Sequence, residues 1–227
     1  MTLPARNFMT ERENNMGGML TKEFLCIKKQ VKLLLLGLGV AFIGMMPPLL
    51  AQGGKDRLTA LSMVTALAVM LSVLLTINTM AYDETAKWDV FVKSLPLSSR
   101  TIVGAKYVLS LIFTAAGTIF TFAAALFAQV GPAKRAAVCI GAGTAPLVLC
   151  SIFLPLFYKF GLQKTRLAFI LVFFGIPFLA GLLAKRLGVT MLKAQTLLLL
   201  KLSPVLALAV FAASFFIACR IYSRKEI

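Results

Sequence analysis

The chain has 227 residues, of which 59% are hydrophobic, against roughly 45–50% in a typical soluble domain. Only 14% of the residues are charged, and 24 Lys and Arg against 8 Asp and Glu give a formal net charge of +16. This composition excludes a soluble single-core protein and indicates an integral membrane protein with basic loops.

The chain contains no histidine, which narrows the chemistry further. Without imidazole it cannot build a Ser-His-Asp triad, a histidine haem ligand or a mixed-ligand zinc site. Cys26, Cys139, Cys150 and Cys219 are too far apart in sequence for a CxxC motif, so we expect them to be small apolar interior residues. We therefore predict no catalytic residue, bound cofactor or metal. The basic residues lie between apolar runs, which does not favour nucleic acid as a partner.

Residues 1–30 are predicted to form a cytoplasmic N-terminal tail that ends in an interfacial segment. Its first eighteen residues are polar and lack the apolar core of a cleaved signal peptide. Patterned sequence begins at Leu20, so Met16 and Met19 are candidate translation starts beside Met1.

Six apolar runs follow, each close to the roughly 20 residues that a membrane crossing requires. They occupy residues 31–51, 58–81, 102–130, 136–157, 167–184 and 202–219. The predicted fold is therefore all-α, a polytopic membrane domain over residues 31–219 with six transmembrane helices and a C-terminal tail at 220–227. No run carries a carboxylate away from its edge, which argues against an ion-coupled carrier. Lys106 lies near the edge of the third run, where its stem can reach the interface.

The distribution of Lys and Arg predicts the orientation, because cationic loops are retained on the cytoplasmic side. With the N-terminus inside, sixteen of these residues are cytoplasmic and eight are external. The external group comprises Lys55, Arg57, Lys134, Arg135, Lys185, Arg186, Lys193 and Lys201. Both termini are thus predicted to be cytoplasmic. The cationic external segment 185–201 contains a Leu run at 197–200 that is suited to an interfacial helix.

Two spans carry small polar residues at helical spacing, along one face of each helix. The second span contributes Ser62, Thr65, Ser72, Thr76 and Thr79, and the third contributes Ser110, Thr114, Thr118 and Thr121. Such stripes permit close helix packing, in which hydroxyls bond to backbone carbonyls. They are equally compatible with a subunit interface or a substrate path.

The loop 82–101 between the second and third spans has more pattern than a simple connector. Its apolar residues Trp88, Phe91, Val92 and Leu95 fall at i, i+3, i+4 and i+7, which predicts one apolar face of a short helix. Asp83 and Glu84 stand at its start, as the helix dipole prefers. Pro96 ends the helix, and Ser98 or Ser99 can cap the third span.

Lipid, the protein's own core and another subunit are the three possible partners of this amphipathic helix. A helix on a lipid surface usually has a strongly basic polar face, whereas this one mixes Asp83, Glu84 and Asp89 with Lys87 and Lys93. Aromatic anchors such as Trp88 and Phe91 dominate many protein interfaces. The pattern favours a protein partner, with packing under the membrane domain as the alternative.

The run from Asp83 to Tyr107, with Trp88, Phe91, Ser94-Leu95-Pro96-Leu97-Ser98 and Arg100, resembles the corresponding loop of small six-span ABC-2 type exporter permeases. The segment Lys22-Glu23-Phe24-Leu25 resembles the family's interfacial segment before the first span. The resemblance implies that the loop is a coupling helix that docks on an ATPase. The implied interface residues are Asp83, Glu84, Trp88, Phe91, Val92, Leu95, Pro96 and Leu97.

The chain has no Gly-x-x-x-x-Gly-Lys-Ser/Thr loop to hold nucleotide phosphates. The resemblance therefore implies that ATP and magnesium bind to a separate ATPase, present in two copies, with a second permease that is the same chain or a paralogue. It also implies outward transport of a peptide or amphipathic molecule across the plasma membrane. The alternative is the six-helix substrate-binding membrane subunit of a vitamin importer, which captures its ligand from outside.

Overall fold

The computed structural model describes residues 54–86, 98–175 and 193–224, together with the single positions Thr21, Gly39, Ile43, Leu179 and Leu182. Over these ranges the chain is helical and contains no strand. The helices are α1 (Gly54–Thr85), α2 (Ser99–Phe127), α3 (Pro132–Phe160), α4 (Leu162–Ile170) and α5 (Lys193–Arg224), with a π-helical turn at Leu171–Gly175.

Four helices are long and apolar enough to cross a membrane, over Arg57–Thr85, Ser99–Phe127, Pro132–Phe160 and Leu202–Arg224. They coincide with the predicted second, third, fourth and sixth spans, so the predicted helical membrane protein is confirmed over the part of the chain that the structure describes. The first predicted span, 31–51, lies outside the described residues apart from Gly39 and Ile43. The predicted fifth span, 167–184, is described only as far as residue 175 and at Leu179 and Leu182.

Most helices are longer than the apolar runs that predicted them. Helix α3 begins four residues before its run and ends three residues after it, and α5 includes the Leu run at 197–200 in one continuous helix. Backbone hydrogen bonds carry a helix beyond its apolar part, into flanks that composition alone does not assign. Helix α2 instead ends at Phe127, because Gln129 takes a left-handed backbone (φ 50°) ahead of Gly131 and Pro132.

Helix α2 begins at the cap that its sequence predicts. The Ser98 hydroxyl accepts a hydrogen bond from the backbone N–H of Thr101 at 3.3 Å and lies 2.8 Å from the Thr101 hydroxyl. A capping serine satisfies one of the free N–H groups at a helix start. The chain therefore re-enters the bundle at a defined residue.

Helices α1, α2, α3 and α5 pack into one bundle, in which α1, α2 and α3 run antiparallel to their sequence neighbours. We call the end of the bundle with Thr85, Ser99 and Phe160 the loop end, and the end with Phe127 and Pro132 the turn end. Near the turn end, small residues bring α1 and α2 together: Ala60, Leu61 and Val64 on one helix, Ala124, Ala125 and Ala128 on the other. Near the loop end the core is larger and aromatic, with Tyr107, Phe153, Tyr158, Phe169 and Tyr222.

Candidate functional site

The loop end is where α1 and α2 approach the predicted coupling helix. The residues Trp88, Phe91, Val92, Leu95, Pro96 and Leu97 belong to segment 87–97, which lies outside the described residues. Asp83 and Glu84 are described, and they lie in the last turn of α1. The prediction that they stand at the start of a separate short helix is therefore wrong, because backbone hydrogen bonding continues α1 past its last apolar residue. Because α1 ends at Thr85 and α2 begins at Ser99, both helix ends that frame the segment are defined.

Asp83 and Lys106 form an ion pair between these two helices. The Lys106 Nζ lies 2.6 Å from Asp83 Oδ2, and the two side chains are only 6% and 13% exposed. The Lys106 ammonium also donates to the Thr79 carbonyl at 3.4 Å. A buried charge is tolerated when it is paired and hydrogen-bonded, and removing one partner alone is strongly destabilising.

Glu84, the next residue, contacts a different helix. Its Oε2 accepts a hydrogen bond from the backbone N–H of Leu162 at 2.9 Å. Leu162 is the first residue of α4, where free N–H groups and the helix dipole favour a carboxylate. Gly161, between α3 and α4, has φ 79° and ψ −179°, a conformation that only glycine adopts readily. The end of α1 is thus joined to α2 and to the α3–α4 corner.

Tyr107, which follows Lys106, joins α2 to two more helices. Its hydroxyl lies 2.7 Å from Ser214 Oγ on α5, and that serine donates to the Ser151 carbonyl on α3 at 2.5 Å. Phe211 and Phe215 pack edge-on against the Tyr107 ring, with centroids 4.9 and 5.3 Å away. Two consecutive residues in the third turn of α2 therefore contact α1 and α5, and Ser214 extends the link to α3.

The sequence predicts no role for the hydrogen bonds that join Tyr107, Ser214 and Ser151. For Lys106 it predicts only a position at the membrane interface. A signal for Lys106 exists in the sequence: Lys106 and Asp83 carry opposite charges and lie near the same end of two consecutive antiparallel helices. No comparable signal marks Ser214, because its partners are more than sixty residues away in sequence.

The small polar stripes divide into two groups. Ser72, Thr76, Thr79, Ser110, Thr114 and Thr121 are buried between helices. Most of these hydroxyls donate to a carbonyl one turn earlier in their own helix. Ser72 also lies 3.2 Å from the Phe113 carbonyl of α2, and the half-buried Thr118 hydroxyl donates to Thr114 at 2.8 Å. These residues are placed for close packing of α1, α2 and α3.

Ser62 and Thr65, in contrast, border a cavity in the half of the bundle nearer the turn end. The cavity has a volume of about 1010 Å³, and the described residues that line it come from α1, α3, α5 and Val172 of the π-helical turn. The hydroxyls of Ser62, Thr65 and Thr144 in its wall donate to carbonyls of their own helices at 2.7 to 2.8 Å. The cavity therefore presents an almost wholly apolar surface, suited to an apolar group.

Together these features define a polytopic helical membrane protein with an apolar cavity nearer the turn end. At the loop end lies a polar joint, which we define as the Asp83–Lys106 ion pair and the hydrogen bond from Leu162 to Glu84. Within the described ranges no cluster of three or more His, Cys, Asp or Glu residues could hold a metal ion. The polar joint links α1 to α2 through the ion pair and α1 to α4 through Glu84.

Residues 18–223 match the sequence model of a family described as ABC-2 family transporter protein. The match spans most of the chain, so the protein belongs to this family. It is an ABC-2 type permease, the membrane subunit of an ABC transporter, and it works with an ATPase partner. Searches of curated proteins and of solved structures found no match.

Proposed function

We propose that this permease is the six-span membrane subunit of an exporter, and that segment 87–97 is the coupling helix that receives its ATPase. The observation that carries the proposal is the joint at the loop end. Both helices that frame the segment are spanning helices, and the Asp83–Lys106 pair links them beside it. A displacement of the segment would therefore be passed to two spans at once.

The proposed orientation places the loop end in the cytoplasm, at the plasma membrane, with both termini inside. The distribution of Lys and Arg over the whole sequence supports it, because sixteen of these residues lie in segments that this orientation places inside and eight in segments that it places outside. Among the described positions, the loop end carries Arg100, Lys106, Lys159, Lys164, Arg166, Arg220 and Arg224, and the turn end carries Lys55, Arg57, Lys134, Arg135, Lys193 and Lys201. ATP and magnesium are proposed to bind the ATPase, in two copies, so that the chain itself is not an enzyme. A second permease, identical or paralogous, would complete the complex.

The proposed substrate is a peptide or another amphipathic molecule. The cavity supports this class, since its wall is apolar and the hydroxyls of Ser62, Thr65 and Thr144 are already hydrogen-bonded. An apolar side chain or acyl chain fits such a surface, whereas a charged group would lose its hydration there without a partner.

Replacing Trp88 tests the docking role of the segment. Truncation of an aromatic anchor at an interface commonly costs about 2 kcal/mol or more, which corresponds to about a thirtyfold loss of affinity. Trp88→Ala should therefore weaken binding of the ATPase by about that factor, measured by titration of the ATPase onto the purified permease in nanodiscs.

Lys87→Ala is the matched control, because a charge at the rim of an interface contributes little. It should bind the ATPase within about twofold of the wild-type chain. The proposal would be contradicted if Trp88→Ala bound the ATPase as tightly as wild type while lowering the yield of folded protein, because Trp88 would then be a packing residue. Tight capture of a vitamin by the isolated chain would favour the importer alternative.

A further inference from the structure

We propose that Asp83 and Glu84 are positioning residues that fix the end of α1, which is the base of segment 87–97, and that Asp83 does not itself contact the ATPase. This inference rests on the proposed function, because it concerns how the same segment is presented to its partner. It assigns to the two carboxylates a role inside the permease, different from the docking role that the sequence implied.

The directions of the two side chains favour the ion pair. Side chains on a helix lean toward its N-terminus. Helix α2 begins at the loop end, so the long Lys106 side chain leans toward the loop end from the third turn of its helix. Helix α1 finishes at the loop end, so Asp83 leans back into the bundle. Their charged atoms meet 2.6 Å apart, beneath the segment that joins the two helices.

Burial of the pair argues against a docking role for Asp83. Its side chain is 13% exposed and faces the bundle, so an ATPase would have to break the pair to reach it. Breaking a buried pair leaves an unpaired charge out of water, which is among the most costly changes in a protein interior. Residues outside this pair can contact the ATPase in each transport cycle without breaking a buried ion pair.

Glu84 supplies a second anchor in another direction. Consecutive residues on a helix are about 100° apart, so Glu84 faces α4 where Asp83 faces α2. Its bond to the Leu162 N–H ties the base of the segment to the corner at Gly161. With Asp83 held by α2 and Glu84 by α4, the end of α1 from which the segment continues is fixed in two directions.

The sole tryptophan of the chain, Trp88, provides a probe that needs no ATPase. The experiment measures acrylamide quenching of Trp88 fluorescence in the full-length permease in nanodiscs. Lys106→Met should raise the quenching constant by about twofold, because the base of the segment loses an anchor and opens more often. The double variant Asp83→Asn/Lys106→Met leaves no buried charge, so it should fold even if the single variant does not, and it should show the same increase.

Two further variants separate positioning from general stability. The exchange of charges in Asp83→Lys/Lys106→Glu should return the quenching constant toward the wild-type value, since the long side chain at position 83 leans toward position 106. Leu154→Ala removes a fully buried core side chain on α3, so it should lower Tm without changing the quenching of Trp88. Unchanged quenching in the folded double variant, or an equal increase in Leu154→Ala, would overturn the inference.

Titration of the ATPase onto the same proteins keeps the two proposals distinguishable. The double variant should bind the ATPase about tenfold more weakly than wild type, because the docking surface is no longer preorganised. Failure of the wild-type chain to bind any ATPase at this segment would contradict the proposed function. Wild-type affinity in the double variant, with normal binding by the wild-type chain, would contradict the positioning role alone.

Discussion

Among the described glycines, Gly161 has the backbone conformation that least tolerates a side chain. Its φ of 79° and ψ of −179° lie in a region that is essentially reserved for glycine, and its N–H ends α3 by donating to the Phe157 carbonyl. Forcing a side chain into this region costs on the order of 1–3 kcal/mol. Gly161→Ala should therefore lower the Tm of the purified permease, measured by thermal unfolding in nanodiscs.

Gly131→Ala is the control for this strain. Gly131 caps α3 at its other end with φ −56°, an ordinary conformation, and an added Cβ there would meet no atom within 4 Å. The Tm of Gly131→Ala should equal or exceed that of wild type, because alanine lowers the conformational entropy of the unfolded chain. An unchanged Tm in Gly161→Ala would show that the corner relaxes, and the bond between Glu84 and Leu162 would then not depend on this turn.

At the scale of elements, α1 and α2 approach each other closely at Gly117. A Cβ added to Gly117 would lie 2.7 Å from Ser72 Oγ and 3.5 Å from the Ala68 carbonyl oxygen. Overpacking of this kind typically costs about 1–3 kcal/mol. Gly117→Ala should separate the two helices and lower Tm, and Gly117→Ala/Ser72→Ala should recover most of the loss because the nearest atom is gone.

Gly141→Ala serves as the comparison on α3, where an added Cβ meets no atom within 4 Å. Its Tm should stay at the wild-type value or rise slightly, since alanine favours a helix over glycine by about 1 kcal/mol. If Gly117→Ala were as stable as Gly141→Ala, the approach of α1 to α2 would not be tight at this point, and the hydroxyl of Ser72 would have no packing role there.

The sequence predicted the spanning helices well and their connections less well. Continuous apolar runs gave α1, α2, α3 and α5, because the demand for about 20 apolar residues is strong and local. Ser98 or Ser99 was predicted as the cap because a capping signal is also local, and the structure has Ser98 in that position. The helix ends near Thr85 and Phe160 were not predicted, since hydrogen bonding continues the helix past the last apolar residue.

The residues of the candidate site could be predicted only where the pattern lies within one helix or loop of the sequence. The polar stripes were visible from spacing, but spacing does not separate Ser62 and Thr65, beside the cavity, from Ser72 and Thr76, which are buried. That division depends on which helices are neighbours. The contact of Tyr107 with Ser214 depends on the same tertiary information, because the two residues are 107 positions apart.

At the scale of the whole molecule, the proposed orientation predicts the side of each connection. Reporter fusions after Lys55, Lys134 and Lys193 should read external. Fusions after Lys87, Lys164 and Arg224 should read cytoplasmic. The fusion after Lys193 is the most informative, because it follows the predicted fifth span. A cytoplasmic reading there would contradict a six-span topology, whereas reversal of all six readings would contradict the orientation of the loop end.

The central claim, that segment 87–97 docks on a separate ATPase, is tested most directly by photo-crosslinking in living cells. Trp88 is replaced with p-benzoylphenylalanine, and the crosslinked product is identified by mass spectrometry. The same probe at Ile119, 69% exposed on α2, serves as the control for nonspecific capture. The account predicts a product with an ABC ATPase from position 88 and none from position 119. Crosslinks from position 88 only within the permease would contradict it.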